Sequence, residues 1–226
     1  PLSSPAQSAF SVDLLWEADT YVPSSYQGHS LPSSESTVRA IAIPYSGDSL
    51  LSPEDLYFTW SKDGVQDLPH SGRGKNVYPF AAAKKYGKTT ISVSASSGGK
   101  SERVEKSVTI PTTEPREVLY PFDTARGLRG ELAYGTQTSV EGGTVSMKAE
   151  PYYFSRAKVG DLLFRWASGG KTLTPTDPDK SIMTFAVLEG VQGNVDVRVT
   201  ISHINNILQE ATKALRINFD QEPLRF

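Results

Sequence analysis

Asp55-Leu56-Tyr57-Phe58-Thr59-Trp60 returns about 106 residues later as Asp161-Leu162-Leu163-Phe164-Arg165-Trp166. In both stretches Leu, Phe and Trp stand at every second position, alternating with Tyr57 and Thr59 or with Leu163 and Arg165. That period of two is the mark of a β-strand with one face on a core and the other toward solvent. Trp60 and Trp166 close the two runs at equivalent places, which marks them as structural core.

The match extends in both directions. Thr37-Val38-Arg39-Ala40-Ile41-Ala42-Ile43-Pro44 reads like Thr144-Val145-Ser146-Met147-Lys148-Ala149-Glu150-Pro151. Gly64 answers Gly170, and Phe80-Ala81 answers Phe185-Ala186. Ile91-Ser92-Val93-Ser94 corresponds to Val197-Arg198-Val199-Thr200, and Lys106, Val108 and Ile110 to Lys213, Leu215 and Ile217. Asp19-Thr20 and Asp123-Thr124 share a place near the first strands. So many matches in one order indicate an internal duplication, each copy being about 100 residues, the size of one sandwich domain. The expected layout is a tail at 1–10, a first domain at 11–110, a linker at 111–115, a second domain at 116–219 and a tail at 220–226. Pro111 and Pro115 predict a short, stiff linker that restricts the relative angle of the domains.

Turn clusters punctuate the runs: SGDS, SKDG, SSGGK, EGG and ASGGK. Gly 18, Pro 15, Tyr 10 and Phe 9 against Met 2 favour strands and turns over helices. Two segments invite a helical reading. Phe80 to Tyr86, FAAAKKY, could make a helical turn or two, or a simple turn at Lys84 to Gly87. Asn205 to Leu215 could also be helical, but the repeat sets it against a hairpin, so two strands joined at Asn205-Asn206 are expected. Short strands at regular spacing make an all-β sandwich or barrel.

Here the chain resembles a known group. Leu-x-Phe-x-Trp followed by a Lys/Gly turn is similar to the third strand of bacterial immunoglobulin-like and PKD-like domains, where a Trp packs between the sheets; Trp60 and Trp166 fill that place. Tyr86-Gly87-Lys88 is similar to the turn before their sixth strand. The resemblance spans roughly residues 11–219. It implies two tandem immunoglobulin-like β-sandwich domains of the kind found in uncharacterised surface proteins, without the Cys pair of antibody domains.

Composition closes several routes. With no Cys there is no disulfide framework, thiolate metal site or Cys nucleophile. Basic residues number 23 and acidic 25, with no basic block, which argues against a nucleic-acid partner. No apolar run approaches the ~18 residues of a membrane span. Bacterial surface domains commonly lack Cys, and no Asn-X-Ser/Thr acceptor occurs, so an extracellular, bacterial setting is expected. The opening PLSSPAQSAF and the ending EPLRF suggest a fragment whose anchor lies elsewhere.

Several motifs suggest chemistry and fall short of it. Gly47-Asp48-Ser49-Leu50 spells a hydrolase signature, but a nucleophilic Ser needs a His base, and no Asp-x-x-His follows near the C-terminus. Gly98-Gly99-Lys100-Ser101 and Gly169-Gly170-Lys171-Thr172 look like the end of a phosphate loop. Ser94 and Arg165 stand where the earlier Gly is required, so hairpin turns are expected instead. His29, His70 and His203 lack metal-ligand spacing and are read as solvated, His203 as exposed just past a strand. Glu54-Asp55 and Asp177-x-Asp179 could offer oxygen ligands to Ca²⁺, though no full loop is present. Asp55 and Asp161 recur before the Trp strand, as a cap or turn residue would. No catalytic or cofactor-binding residue is assigned, and no cofactor other than possible Ca²⁺.

Aromatic clusters supply the binding hint. Tyr152, Tyr153 and Phe154 are candidates for ligand or partner contact, with Tyr21, Tyr26 and Tyr45 near loops of the first copy. Core filling by these rings is the competing reading. Trp16 is expected to cover one end of the first core. The expected function is a non-enzymatic extracellular structural or interaction module: a surface spacer, adhesion element or filament component with a protein partner or self-association. Residues 1–10 could be a strand donated to a neighbour. The alternative is a carbohydrate-binding or accessory module of a larger surface enzyme, which requires exposed, coplanar aromatics at Tyr152, Tyr153 and Phe154.

Overall fold

The alternating runs form strands because β-branched and aromatic residues pack well on a pleated surface buried on one side. The computed structural model describes residues 10–97, 103–129, 132–140, 143–156, 160–187 and 192–219. They fall into two compact units: Pro1–Asp19 with Ser30–Thr113, and Thr20–His29 with Glu114–Phe226. The segment Thr20–His29 thus belongs to the second unit, although the repeat reads it as part of the first copy.

In the first unit, β2 (Thr37–Ser46) runs antiparallel between β1 (Ser11–Ala18) and β6 (Val77–Ala81), with the short β3 (Ser49–Leu50) closing a hairpin. The facing sheet has the order β5 (Val65–Arg73), β4 (Leu56–Lys62), β7 (Lys88–Ser97), β8 (Arg103–Pro111). Leu56, Phe58 and Trp60 of β4 are buried, and so are Ile91, Val93 and Ala95 of β7 and Val38, Ala40 and Ala42 of β2. Trp16 is half-buried and packs against this core.

The second unit repeats the plan. One sheet has the order β10 (Gly127–Leu128), β9 (Arg116–Asp123), β12 (Gly143–Tyr152), β15 (Ile182–Val187). The other runs β11 (Gln137–Val140), β17 (Asn206–Phe219), β16 (Gly193–His203), β13 (Leu162–Ser168), β14 (Lys171–Leu173). The β11–β17 pair is parallel; the other strand pairs are antiparallel. Val197, Val199, Ile201, Leu215 and Ile217 face inward with Met147, Ala149 and Trp166.

Register bears out the repeat at residue level. Trp60 stands opposite Val93, and Trp166 opposite Val199. Val38 pairs with Phe80, and Val145 with Phe185. The indole of Trp60 donates to the Lys75 carbonyl at 2.8 Å, and that of Trp166 to the Lys180 carbonyl at 3.0 Å. A buried indole N–H left unpaired would cost about 1–3 kcal/mol, so each copy keeps the same acceptor type for its Trp.

The expected turns form with the chemistry their residues dictate. Asp63 and Gly64 (φ 51° and 81°) join β4 to β5, and Gly169 and Gly170 (φ 55° and 76°) join β13 to β14. Positive φ at both central residues is the hairpin turn that Asp-Gly and Gly-Gly favour. The phosphate-loop likeness at 169–172 is therefore a hairpin. Its counterpart at 98–101 lies outside the described residues, as do residues 1–9 of the donor strand expected at 1–10 and the tail at 220–226; Phe10 is buried in the first unit's core. Gly47-Asp48 is the tip of the β2–β3 hairpin, and residues 82–87 hold turns and no helix.

Two expectations need correction. The β16–β17 segment is a hairpin rather than a helix, but its turn is Ile204-Asn205, and Asn206 already pairs with His203. The register shifts at Ser202/His203: Ser202 stands opposite Glu210 and His203 opposite Asn206, so the turn falls at Ile204-Asn205. His203 is buried rather than exposed, because its Nδ1 turns back to accept the Asn205 backbone N–H at 3.1 Å.

Candidate functional site

The second unit holds an open cleft of about 640 Å³ lined by Ser24, Ser25, Tyr26, Gln27, Tyr120, Leu128 and Tyr152. Its floor comes from β9 and β12. The hydroxyls of Tyr120 and Tyr152 share a hydrogen bond of 2.7 Å, one donating to the other. Its rim is the Thr20–His29 segment. Tyr21 N–H donates to the Phe154 carbonyl at 2.7 Å, and Tyr153 N–H donates to the Tyr21 carbonyl at 2.8 Å. Thr20 and Ser155 bridge in the same antiparallel sense.

Tyr26 is the keystone of the rim. Its ring meets Tyr152 and Tyr153 edge-on at 5.5 and 6.3 Å between centroids, geometry that aromatic quadrupoles favour. Its hydroxyl lies 2.8 Å from that of Tyr153. Burial, and then this hydrogen bond, push the Tyr153 hydroxyl up to about 12. Burial likewise raises Tyr152, reinforced by Tyr120. These phenols therefore stay neutral donors and acceptors across the physiological range. The Tyr26 ring folds onto Gly28, where an added Cβ would collide with the hydroxyl oxygen. Gly28→Ala is expected to swing Tyr26 away and break its bond to Tyr153. Faster amide exchange at residues 20–29 would report this, with a stability loss of about 1 kcal/mol.

Beneath the rim lie two buried polar groups, of which period-two reading assigns Glu150 to solvent and Gln209 to the core face. Glu150 is only 5% exposed; it accepts the Tyr21 hydroxyl at 3.3 Å and pairs with Lys148 at 2.9 Å. Burial, then the Glu150 charge, raises the Tyr21 hydroxyl. Gln209 of β17 is fully buried. Its Oε1 accepts the Ser155 backbone N–H, and its Nε2 donates to Ser155 Oγ, both at 2.8 Å. Neither Glu150 nor Gln209 carries a motif.

The three named candidates are placed otherwise than an aromatic platform requires. Tyr152, Tyr153 and Phe154 are 9%, 6% and 0% exposed. They are sealed by the Thr20–His29 segment, so no exposed coplanar set forms, and the condition set for a carbohydrate platform there is not met. Tyr152 still reaches the cleft at its edge. Tyr21 and Tyr26 serve the second unit, not loops of the first. Tyr45 lies in β2, its hydroxyl 3.4 Å from Asp13.

The other candidates resolve into local structure. Asp177 Oδ1 accepts the Asp179 N–H, and Asp179 Oδ1 accepts the backbone and side chain of Ser181, so both serve their own turn. Asp55 sits in the 3₁₀ turn Pro53–Asp55 with Arg73 at 3.8 Å. The Asp161 carbonyl accepts Ile204 N–H. Among the described residues no group of three or more His, Asp or Glu side chains is placed to hold a metal. His70 is not a loop residue: it lies in β5, Nδ1 2.9 Å from Asp67 Oδ1. Asp67 also accepts the Tyr78 hydroxyl at 3.0 Å, and these bonds hold its carboxyl below the usual range. Ser71 Oγ accepts the Trp60 backbone N–H where the β4–β5 register breaks, so this cluster secures a bulge.

No protein-family model matches the chain, and no curated protein sequence matches it. Among solved structures it is similar to the three N-terminal domains of the highly immunogenic outer capsid protein (Hoc) of bacteriophage RB49. That match has 15% identity and TM-score 0.48 over 93% of this chain and 59% of the other, so the chain spans about three fifths of the phage fragment. It is similar to fibronectin(III)-like modules of Clostridium thermocellum CbhA, with 12% identity and TM-score 0.30 over 94% and 97% of the two chains. It is also similar to the ectodomain of mouse nectin-like molecule 4, with 10% identity and TM-score 0.34 over 94% and 66%. By strand order, register and repeat, the chain is two tandem immunoglobulin-like β-sandwich domains.

Proposed function

We propose that the chain is a non-enzymatic extracellular interaction module whose second unit takes a segment of a protein partner into the tyrosine cleft. The observation that carries this reading is the lining: Tyr26, Tyr120 and Tyr152 beside Ser24, Ser25 and Gln27, with no charged side chain among the described lining residues. Tyrosine offers large, rigid, amphipathic contact area at small entropic cost, and serine adds adaptable hydrogen bonding. Each of these rings is already tied through its hydroxyl, so little order remains to be imposed on binding. A bacterial surface setting, as spacer, adhesion element or filament subunit, goes with this reading and rests on the resemblance of the Trp strands. Self-association is the second form of it, with another copy supplying the segment.

The test is selection of a displayed random-peptide library on the intact chain, followed by rebinding to Ser25→Arg. Ser25 is exposed on the cleft rim, so the substitution obstructs the cleft without touching the core. Enriched peptides that lose roughly tenfold or more in affinity support the cleft. Peptides indifferent to the substitution, or no enrichment, reject it. Light scattering over a concentration series separates a foreign partner from self-association.

A further inference from the structure

The outer face of the β5-β4-β7-β8 sheet in the first unit is paved with hydroxyls. Cross-strand register sets Thr59 beside Ser94 and Glu105, and Ser61 beside Gln66, Ser92 and Ser107. One step further, Thr90 faces Thr109. These short side chains floor a groove of about 340 Å³, walled by Gln66, Arg103 and Glu105, within the roughly 300–1,000 Å³ of small-ligand sites. Ser94 is only 8% exposed although it points outward, so the floor is sunk between its walls. Ser92 donates to Ser107 and Thr90 pairs with Thr109, while the hydroxyls of Thr59, Ser61 and Ser94 take no partner among the described residues.

The duplication supplies an internal control. The second unit keeps the core residues of this sheet, yet its matching outer face carries, beside the hydroxyl pair Thr200–Thr212, the charged Arg165, Arg198, Glu210 and the Asp196–Arg216 pair, locked by two bonds of 2.8 and 3.0 Å. The fold therefore does not demand a hydroxyl face, and the first unit bears one as a feature of its own.

We infer that this groove is a binding site for a neutral oligosaccharide. An apolar ligand would leave the hydroxyls it buries unpaired, at a net cost in binding. Arg103 and Glu105 pair at 2.8 Å and cancel in charge, so the wall selects neither anion nor cation. Hydroxyls and the Gln66 amide both donate and accept, which suits the dense mixed hydrogen bonding of sugar hydroxyls. Adjacent guanidinium and carboxylate groups can donate to one sugar hydroxyl and accept from its neighbour. Tyr57, 51% exposed, stands in the next cross-strand row with Ser96 and Arg103 and places an aromatic side chain beside the groove. This site lies in the first unit and does not rest on the tyrosine cleft.

The experiment is ligand-observed NMR on the full chain with a panel of neutral hexaoses: cello-, xylo-, malto-, manno- and N-acetylchito-oligosaccharides. At least one is expected to bind. Ser92→Arg, which fills the groove from its floor, is expected to abolish binding, and Gln66→Ala on the edge strand to weaken it by roughly tenfold. Thr212→Arg, on the matching face of the second unit, is expected to leave it unchanged. A panel that is silent throughout, or binding that survives both Ser92→Arg and Gln66→Ala in folded protein, overturns the inference.

Discussion

Replacing Glu117 by Gln is expected to stabilise the second unit above neutral pH and to leave it little changed near pH 4.5. Glu117 lies in β9 two residues before Leu119, which is fully buried, so its carboxyl shares the inward side of the strand. Lys213, opposite the buried Val199 in β17, faces it from the other sheet. Burial raises the carboxyl from 4.5 to about 7, against the smaller lowering effect of a backbone hydrogen bond and the Lys213 charge. The folded chain therefore holds this proton more tightly than the unfolded chain. Stability present below pH 4.5 is lost as pH rises toward about 7 and is flat beyond. With partial solvent access the loss is on the order of 1–3 kcal/mol. Glu117→Gln removes the titration and with it this decline. Lys213→Met removes an opposing charge and should deepen the decline in the parent chain. Hydrogen exchange of peptides from β9 and β17, followed from pH 4.5 to 8 after correction for intrinsic rates, reads both. Parallel pH profiles for the parent and Glu117→Gln would show that the carboxyl is not held in this environment.

Trp60→Ala is expected to unfold the first unit or nearly so. Trp60 is fully buried and stacks on Tyr78 at 5.3 Å. Removing such a ring costs about 3–5 kcal/mol through lost transfer energy and the cavity left behind. A domain of this size has only about 5–15 kcal/mol in total. Trp60→Phe separates the two contributions. It keeps an aromatic body but leaves the Lys75 carbonyl without its indole donor, at about 1–3 kcal/mol. Urea titrations of the two variants should rank them in that order. A cost below about 1 kcal/mol for Trp60→Ala would contradict the packing described.

How far the chain could be read in advance differs from residue to residue. Trp60, Trp166, Phe58 and Val199 were legible because alternation is local: neighbouring peptide units send side chains to opposite faces whatever lies beyond. The repeat then supplied the pairing, since two copies with the same order of runs must solve the same packing problem. The hairpin at Ile204-Asn205 was legible in kind and missed by one residue, because a bulge at Ser202/His203 leaves no mark in composition.

The candidate site was legible in its residue types and illegible in its arrangement. Tyr152, Tyr153 and Phe154 stood out as aromatics, yet their exposure depends on Thr20–His29, more than a hundred positions away in the chain. The same segment buries Glu150, which alternation assigns to solvent, and makes Tyr26 part of a cleft. Strand positions, facing residues and the duplication follow from the order of amino acids, because backbone geometry ties them to near neighbours. The cleft, the raised carboxyl of Glu117 and the sunken hydroxyl floor arise only in the folded chain, because burial is the sum of contacts that distant segments bring.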